Sequence, residues 1–189
     1  MKLSLGFFLV TLSCSVTLSG SAWSQQTPAA SPAPAAIKDP VAASARMLFP
    51  RSQKNILGAI EAMPADKFSF KPTPDQMTFG HLVVHIIDSN NSICAKAAAI
   101  PEPKVDAVKD SDPKDKLLAA AKASFDFCGD AVAKMDDSKL GDSVELFGGH
   151  QFPRAMAVLG MASGWADHYG AAAFYLRLNG ILPPTAQKK

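Results

Sequence analysis

The segment HLVVH places two histidines, His81 and His85, inside an apolar run. In an α-helix, side chains four residues apart lie on the same face, so both imidazoles would lie along one side of the helix. Neutral imidazole is a common ligand for zinc, nickel and other transition metals. The spacing therefore allows two interpretations: a metal-ligating pair, or two polar residues at the edge of a hydrophobic core.

Two further histidines, His150 and His168, complete the set of 4 in the chain. His168 lies in GWADHYG, within a predicted closing helix, and a bundle fold can bring it opposite the HLVVH helix. His150 follows two glycines, so we expect it in a surface loop. A site that uses His85 and His168 would bind a metal, but hydrogen-bonded core or groove histidines would show the same spacing.

The periodicity of the apolar residues predicts main helices over residues 41–63, 79–100, 113–135 and 154–178. Thr78 is a favourable N-cap for the second helix. Asp112 is expected to cap the third helix, with Pro113 at its first position. A short extended piece is expected at residues 143–147, without a convincing sheet. This pattern predicts an all-α protein, a four-helix bundle.

Residues 1–24 have the pattern of a secretory signal peptide: a basic start, an apolar stretch and small residues at the cleavage site. We expect cleavage after Ser24 and export to the periplasm or the extracellular medium. Residues 25–40 are rich in Pro and Ala, and we expect a disordered linker there. Residues 41–185 are then the folded domain.

The charge balance excludes some partners. Loss of Lys2 with the signal peptide leaves 18 of the 19 basic residues against 17 acidic ones. Since no basic stripe is present either, nucleic acid is not an expected partner. No other apolar segment is long enough to span a bilayer, so no membrane span is expected.

Cys94 and Cys128 are the cysteines that remain after cleavage. In an exported chain they would form a disulfide, provided that their Cα atoms lie within roughly 6 Å. Buried free cysteines, which pack like small apolar residues, are the alternative. The sequence leaves both interpretations open.

Two segments resemble the DinB-like superfamily, which includes YfiT-type metal-dependent hydrolases and thiol-dependent transferases. FKPTPDQMTFGHLVVHIIDSN resembles the family's loop-to-helix segment, which ends in a metal-ligand histidine. GWADHYGAAAFYLRLNGILPP resembles the closing helix and its tail. The resemblance covers residues 41–185 and implies a DinB/YfiT-type four-helix bundle with a divalent metal, zinc or nickel, held by three histidines.

The resemblance implies that His85 and His168 are metal ligands. His168 matches the second histidine of an HxxxH pair on the last helix, but the first position of that pair is Gly164, which has no side chain. The usual triad is therefore incomplete. We hypothesise that His81, one turn before His85, supplies the missing imidazole. The alternative is that the lineage kept the fold and lost the metal.

Two function classes follow from this resemblance. The first is a metal-dependent hydrolase or transferase that acts on a small molecule, although export argues against the cytosolic thiol cofactors of family transferases. The second is a metal-free binding or structural module of the cell envelope. Arg177 is a candidate for binding a substrate carboxylate, or for interacting with the end of its own helix. No catalytic residue can be assigned, and a homodimer is expected by resemblance only.

Overall fold

The structure is a computed structural model that describes residues 36–187. The predicted signal peptide and most of the predicted linker lie outside the described residues. The helices are α1 (Pro40–Ala62), α2 (Phe79–Ala98), α3 (Lys114–Lys134) and α4 (Arg154–Leu178), and a hairpin of β1 (Ser143–Leu146) and β2 (His150–Pro153) precedes α4. None of the helices in this range has the length and hydropathy that a bilayer-spanning segment needs.

The four long helices form a bundle. α2 packs between α3 and α4, and α1 packs against α3 and α4 from the other side. Each helix contributes large buried side chains to one core, for example Ile60, Phe79, Phe125 and Leu176. Burying each such side chain contributes about 1.5–3 kcal/mol, so this shared core is the main source of stability. The prediction of an all-α four-helix bundle is confirmed.

Both ends of α1 are capped by side chains from α3 or from the segment that follows it. The Asp137 carboxylate accepts hydrogen bonds from the backbone N–H groups of Val41 (3.0 Å) and Ala42 (2.8 Å). At the other end, the Lys114 ammonium donates to the carbonyl oxygen of Glu61 at 2.7 Å. These caps satisfy helix-end groups that have no partner within the helix, and each charge has the sign that the helix dipole favours. They fix α1 against α3.

The start of α2 agrees with the prediction. The Thr78 side chain accepts a hydrogen bond from the His81 backbone N–H at 3.0 Å, which is an N-cap contact. The bounds of α4 are also those predicted from the sequence. The local signals at these ends, a capping threonine and a terminal Asn-Gly pair, were sufficient to place them.

The start of α3 differs from the prediction. Pro113 occupies the N-cap position rather than the first helical position, and α3 begins at Lys114. The predicted cap, Asp112, instead accepts a hydrogen bond from the Lys109 backbone N–H at 2.9 Å and pairs with Lys116 at 2.9 Å. Its carboxylate closes the preceding turn, so it is not available to cap the helix.

The hairpin corrects the expectation that no sheet is present. β1 and β2 pair antiparallel, with Val144 opposite Phe152 and Leu146 opposite His150. His150 is therefore an exposed strand residue, not a loop residue. Strands of 4 residues are too short to give a clear alternating pattern. Burial of Leu146 against the bundle supplies the stabilising contact, and the local sequence does not reveal it.

Candidate metal and ligand site

His85 of α2 and His168 of α4 meet across the surface of the bundle. Their ring centroids are 5.0 Å apart and the rings are nearly perpendicular, at 85°. His85 is exposed, whereas its neighbour Ile86 is fully buried, so His85 lies at the edge of the buried stripe of α2. The bundle thus brings together the two histidines that the family resemblance identified as ligands.

His168 is the more buried member of the pair. Its Nδ1 atom is buried and has no hydrogen-bond partner. Its pKa is lowered from 6.5 to about 4, mainly by burial and then by the nearby His85, while Asp167 acts in the opposite direction. His168 is therefore a neutral imidazole at pH 7, and a ring nitrogen remains free of a proton. This is the form that binds metals.

A groove of about 170 Å³ lies beside this pair. Its polar lining consists of His85, Ser89, Asn90 and His168. Its apolar lining is contributed by α2, the hairpin and α4, and consists of Ile93, Cys94, Phe147, Gly160, Met161, Gly164 and Trp165. Apolar walls with few polar groups are typical of small-molecule sites.

Gly164 leaves space beside the histidine pair. A Cβ atom at this position would lie 3.8 Å from Cε1 of His168, which is an ordinary van der Waals contact. The position at which the family has its missing ligand therefore adjoins His168. A side chain there would begin next to the His168 ring, and glycine leaves that side of the groove open.

Asn90 anchors the base of the groove and was missed by the sequence reasoning. This buried amide donates from Nδ2 to Ser124 Oγ at 3.1 Å and accepts at Oδ1 from Trp165 Nε1 at 3.0 Å. It links α2 to both α3 and α4. A polar residue within the apolar stripe of α2 was the only available signal, because its partners lie 34 and 75 residues away along the chain.

His81 and His150 lie outside the groove lining. The His81 side chain is 56% exposed, and its Nδ1 lies 3.9 Å from the carboxylate of Asp110. Residues 36–187 contain no group of three or more His, Cys, Asp or Glu side chains that could hold a metal ion. The structure thus brings two of the three predicted ligands together and places His81 at the rim of α2.

Arg177 is exposed in the last turn of α4 and is not among the residues that line the groove. A basic side chain there interacts favourably with the C-terminal end of the helix dipole. This position agrees with the second role considered for Arg177, an interaction with the end of its own helix. Its role in binding a carboxylate stays a prediction.

Cys94 and Cys128 are joined by a disulfide, with their Cα atoms 5.3 Å apart. The bond connects α2 to α3, and both residues are fully buried. Cys94 also lines the groove. The disulfide therefore holds the helix that carries His85 and Asn90 against α3.

Comparison with known families and structures gives a consistent result. A family profile described as the DinB superfamily matches residues 48–171, which include His85, Gly164 and His168. No curated protein of similar sequence was found.

Solved structures of similar fold include two DinB-like proteins. A DinB-like protein from Bacillus subtilis is 17% identical, with a TM-score of 0.61, over 77% of this chain and 99% of that chain. A DinB-like protein from Bacillus cereus is 13% identical, with a TM-score of 0.61, over 75% of this chain and 95% of that chain. At these identities the likeness concerns the fold alone.

Proposed function

This chain belongs to the DinB superfamily, and on that premise we propose that it binds a divalent metal ion, zinc or nickel, through His85 and His168. The superfamily is often associated with metals. In this proposal a small molecule binds in the adjoining groove, and the protein acts on it as a hydrolase or transferase. The protein is also proposed to be exported and to form a homodimer.

The observation that carries the proposal is the pairing of two imidazoles beside a groove, one with an unpartnered buried nitrogen. The ring centroids of His85 and His168 are 5.0 Å apart, and His168 Nδ1 has no hydrogen-bond partner. A buried polar atom without a partner costs about 1–3 kcal/mol. A metal ion or a ligand donor at this site would remove that penalty.

His85 and His168 supply two protein ligands, one fewer than the three that hold a typical catalytic zinc ion, so a third ligand, water or substrate has to fill the remaining positions. Structural zinc sites are closed by four protein ligands, whereas catalytic sites keep a position for water or substrate. A divalent metal held here would supply Lewis acidity toward a bound water or substrate oxygen. The chain itself would orient the ligand: His85 and His168 hold the donor end, and Trp165 and Met161 exclude water from the apolar end.

The first test is the metal content of the tag-free full chain, followed by titration with zinc and nickel. We expect about one equivalent of metal, with affinity lowered at least about tenfold in His85→Ala and in His168→Ala. His150→Ala, at an exposed histidine in the hairpin, is the matched control. Unchanged affinity in both groove variants would reject the metal site.

Two further variants separate the ways in which the coordination shell is completed. A sharp loss of affinity in His81→Ala would support the hypothesis that His81 is the third ligand. Unchanged affinity would instead assign the open positions to water and substrate. Gly164→His introduces an imidazole at the position of the missing family ligand, where there is room for a Cβ atom. We expect it to raise metal affinity about tenfold, with Gly164→Ala as its control.

The alternative function is a metal-free envelope protein that binds a small molecule or has a structural role. The observation that favours it is the absence, within residues 36–187, of a group of three potential ligands. The groove would then act as a binding site without metal chemistry. Metal-free purified protein that binds no added zinc or nickel, yet still binds an apolar probe in the groove, would support this alternative.

Export through a cleaved N-terminal segment is supported by the Cys94–Cys128 disulfide. Disulfides form and persist in oxidising compartments such as the periplasm or the extracellular medium. The test is the intact mass of the protein recovered from cell fractions of a bacterial host. Cleavage after Ser24 and recovery outside the cytoplasm are expected, and uncleaved cytoplasmic protein would contradict export.

The homodimer is supported by the outward face of α4. The exposed apolar residues Met156, Leu159, Phe174 and Leu178 lie within an arc of about 100° on this helix. Asp167 and Arg177 also lie on this face, but contiguous exposed apolar residues often mark a protein–protein contact. Light scattering during size-exclusion chromatography should give a dimer mass that falls to the monomer mass in Phe174→Glu. A monomeric parent protein would reject the dimer.

A further inference from the structure

Phe147 is an aromatic residue that lines the groove from the tip of the hairpin. Its side chain is largely exposed, at 60% relative accessibility, although it shares the groove with His85 and His168. The preceding residue, Leu146, is buried and anchors β1 to the bundle. The hairpin therefore holds an exposed aromatic ring in the lining of the groove.

The backbone of Phe147 is in an unfavourable conformation. Its φ is 38°, in the left-handed region, and the next two residues, Gly148 and Gly149, have φ values of 80° and 89°. Glycine adopts this region freely, whereas a bulky side chain is disfavoured there. A third glycine would form the same turn without strain. Strain of this kind persists only where the surrounding structure enforces it, and strained residues cluster at active sites and ligand sites.

The Phe147 ring contacts α4 and Phe152 and is otherwise largely exposed. A Cβ atom at Gly160 would lie 3.5 Å from Cζ of Phe147, so the ring rests on α4 where that helix has no side chain. Phe152 contacts it edge-on, with ring centroids 6.2 Å apart at 71°. Because the ring is mostly exposed, much of its aromatic surface has no protein partner. That surface is available to stack on a ligand.

The size of the groove limits what such a ligand can be. The groove holds about 170 Å³, and a cavity of roughly 150 Å³ is enough to bind benzene. One planar ring with a short polar substituent therefore fits, and a larger molecule would extend into solvent.

We propose that Phe147 is a specificity-determining residue that stacks on a planar ring of the ligand, whose donor group lies at His85 and His168. The ligand class is thus a small aromatic or heteroaromatic molecule with one metal-binding or hydrogen-bonding group. The inference rests on the proposed function for the position of the donor group. The contact between the rings does not depend on a metal.

The test compares imidazole with 4-phenylimidazole, which carries the same donor group and one additional ring. Both are titrated by NMR into the full chain, once loaded with zinc and once treated with a chelator. The parent protein should bind 4-phenylimidazole about tenfold more tightly than imidazole. In Phe147→Gly, which keeps the turn and removes the ring, this preference should fall to about threefold or less, with imidazole binding unchanged.

Phe147→Leu keeps an apolar side chain but removes the ring, so it should reduce the preference for 4-phenylimidazole. Leu182→Ala, at an equally exposed apolar residue outside the groove, should not. Phe147→Tyr keeps the ring and should retain the preference. A melting temperature of Phe147→Gly at or above that of the parent protein would show that the loss does not come from unfolding.

The zinc-loaded and zinc-free titrations distinguish this inference from the proposed metal site. If zinc does not change the binding of either probe, the metal site fails, but a ring preference that depends on Phe147 still supports the inference. If the parent shows no ring preference, or if Phe147→Gly keeps it, the inference is overturned whether or not zinc binds.

Discussion

Helix α2 has two interfaces, a seam with α3 and a seam with α4, and they differ in how tightly they pack. Toward α3, the Cys94–Cys128 disulfide and the hydrogen bond from Asn90 to Ser124 fix the contact inside the core. Toward α4, Gly160 and Gly164 thin the facing helix, and a groove of about 170 Å³ remains. One helix thus has a covalently closed side and an open side.

The difference shows how a bundle can carry a ligand site without losing its stability. His85 needs a partner helix that leaves space, and space on one side weakens packing because protein interiors are otherwise closely packed. The closed seam with α3 keeps α2 in place while the seam with α4 stays open. Asn90 contributes to both seams, since it also accepts a hydrogen bond from Trp165.

The largest expected effect comes from breaking the closed seam. The disulfide closes a loop with a sequence separation of 34 residues, and its loss should lower the free energy of unfolding by about 4 kcal/mol. Urea unfolding of the oxidised and the reduced protein measures this difference. The double variant Cys94→Ala/Cys128→Ala should not respond to reductant, and equal midpoints for oxidised and reduced parent protein would contradict the prediction.

A smaller loss of stability is expected when Asn90, which contributes to both seams, is replaced. Asn90→Ala leaves the buried Trp165 Nε1 without its acceptor and removes the bond to Ser124, which should destabilise the protein by about 2–3 kcal/mol. Asn91→Ala, at the adjacent half-buried asparagine, should stay within about 0.5 kcal/mol. If the two variants have the same unfolding midpoint in urea, the hydrogen bonds of Asn90 do not stabilise the helices around the groove.

The open seam should make stability depend on pH through His168. Its pKa is lowered to about 4 from 6.5, so between these values the unfolded state binds more protons, and stability falls as the pH falls. Between pH 7 and pH 5 we expect metal-free protein to lose about 1 kcal/mol through this group, allowing for solvent screening.

The control for this pH dependence is a second histidine. His168→Gln should remove the His168 contribution to the difference between pH 7 and pH 5, measured by urea unfolding in the presence of a chelator. His150→Gln, at the exposed hairpin histidine, should retain it. Equal pH profiles for the parent and His168→Gln would show that burial at the groove does not affect this group.

The smallest effect is a gain in stability at the open seam. Gly164 lies inside α4, where alanine is favoured over glycine by roughly 0.5–1 kcal/mol, and a Cβ atom makes only ordinary contact there. Gly164→Ala should therefore raise the unfolding midpoint. Gly148→Ala should lower it, since φ is 80° at that residue. A loss of stability in Gly164→Ala would show that the groove tolerates no side chain at this position.

The helices were predictable because their signals are local. Apolar residues at helical spacing place α2 and α4, and Thr78 marks the start of α2 through a contact only three residues away. The resemblance to the family added the prediction that His85 and His168 act together. The hairpin was missed since its strands are short and Leu146 is stabilised by contact with the bundle rather than by its own neighbours.

The sequence by itself determined the bundle class, the main helix bounds and the identity of the candidate histidines. Only the tertiary structure decided which of these meet: His85 reaches His168 across α2 and α4, whereas His81 lies beside Asp110 at the rim. It also decided that Asn90 joins two seams and that Phe147 lines the groove. The physical reason is the distance along the chain over which each interaction acts. Helix propensity acts within a few residues, whereas the site is assembled from helices that come together only when the core packs.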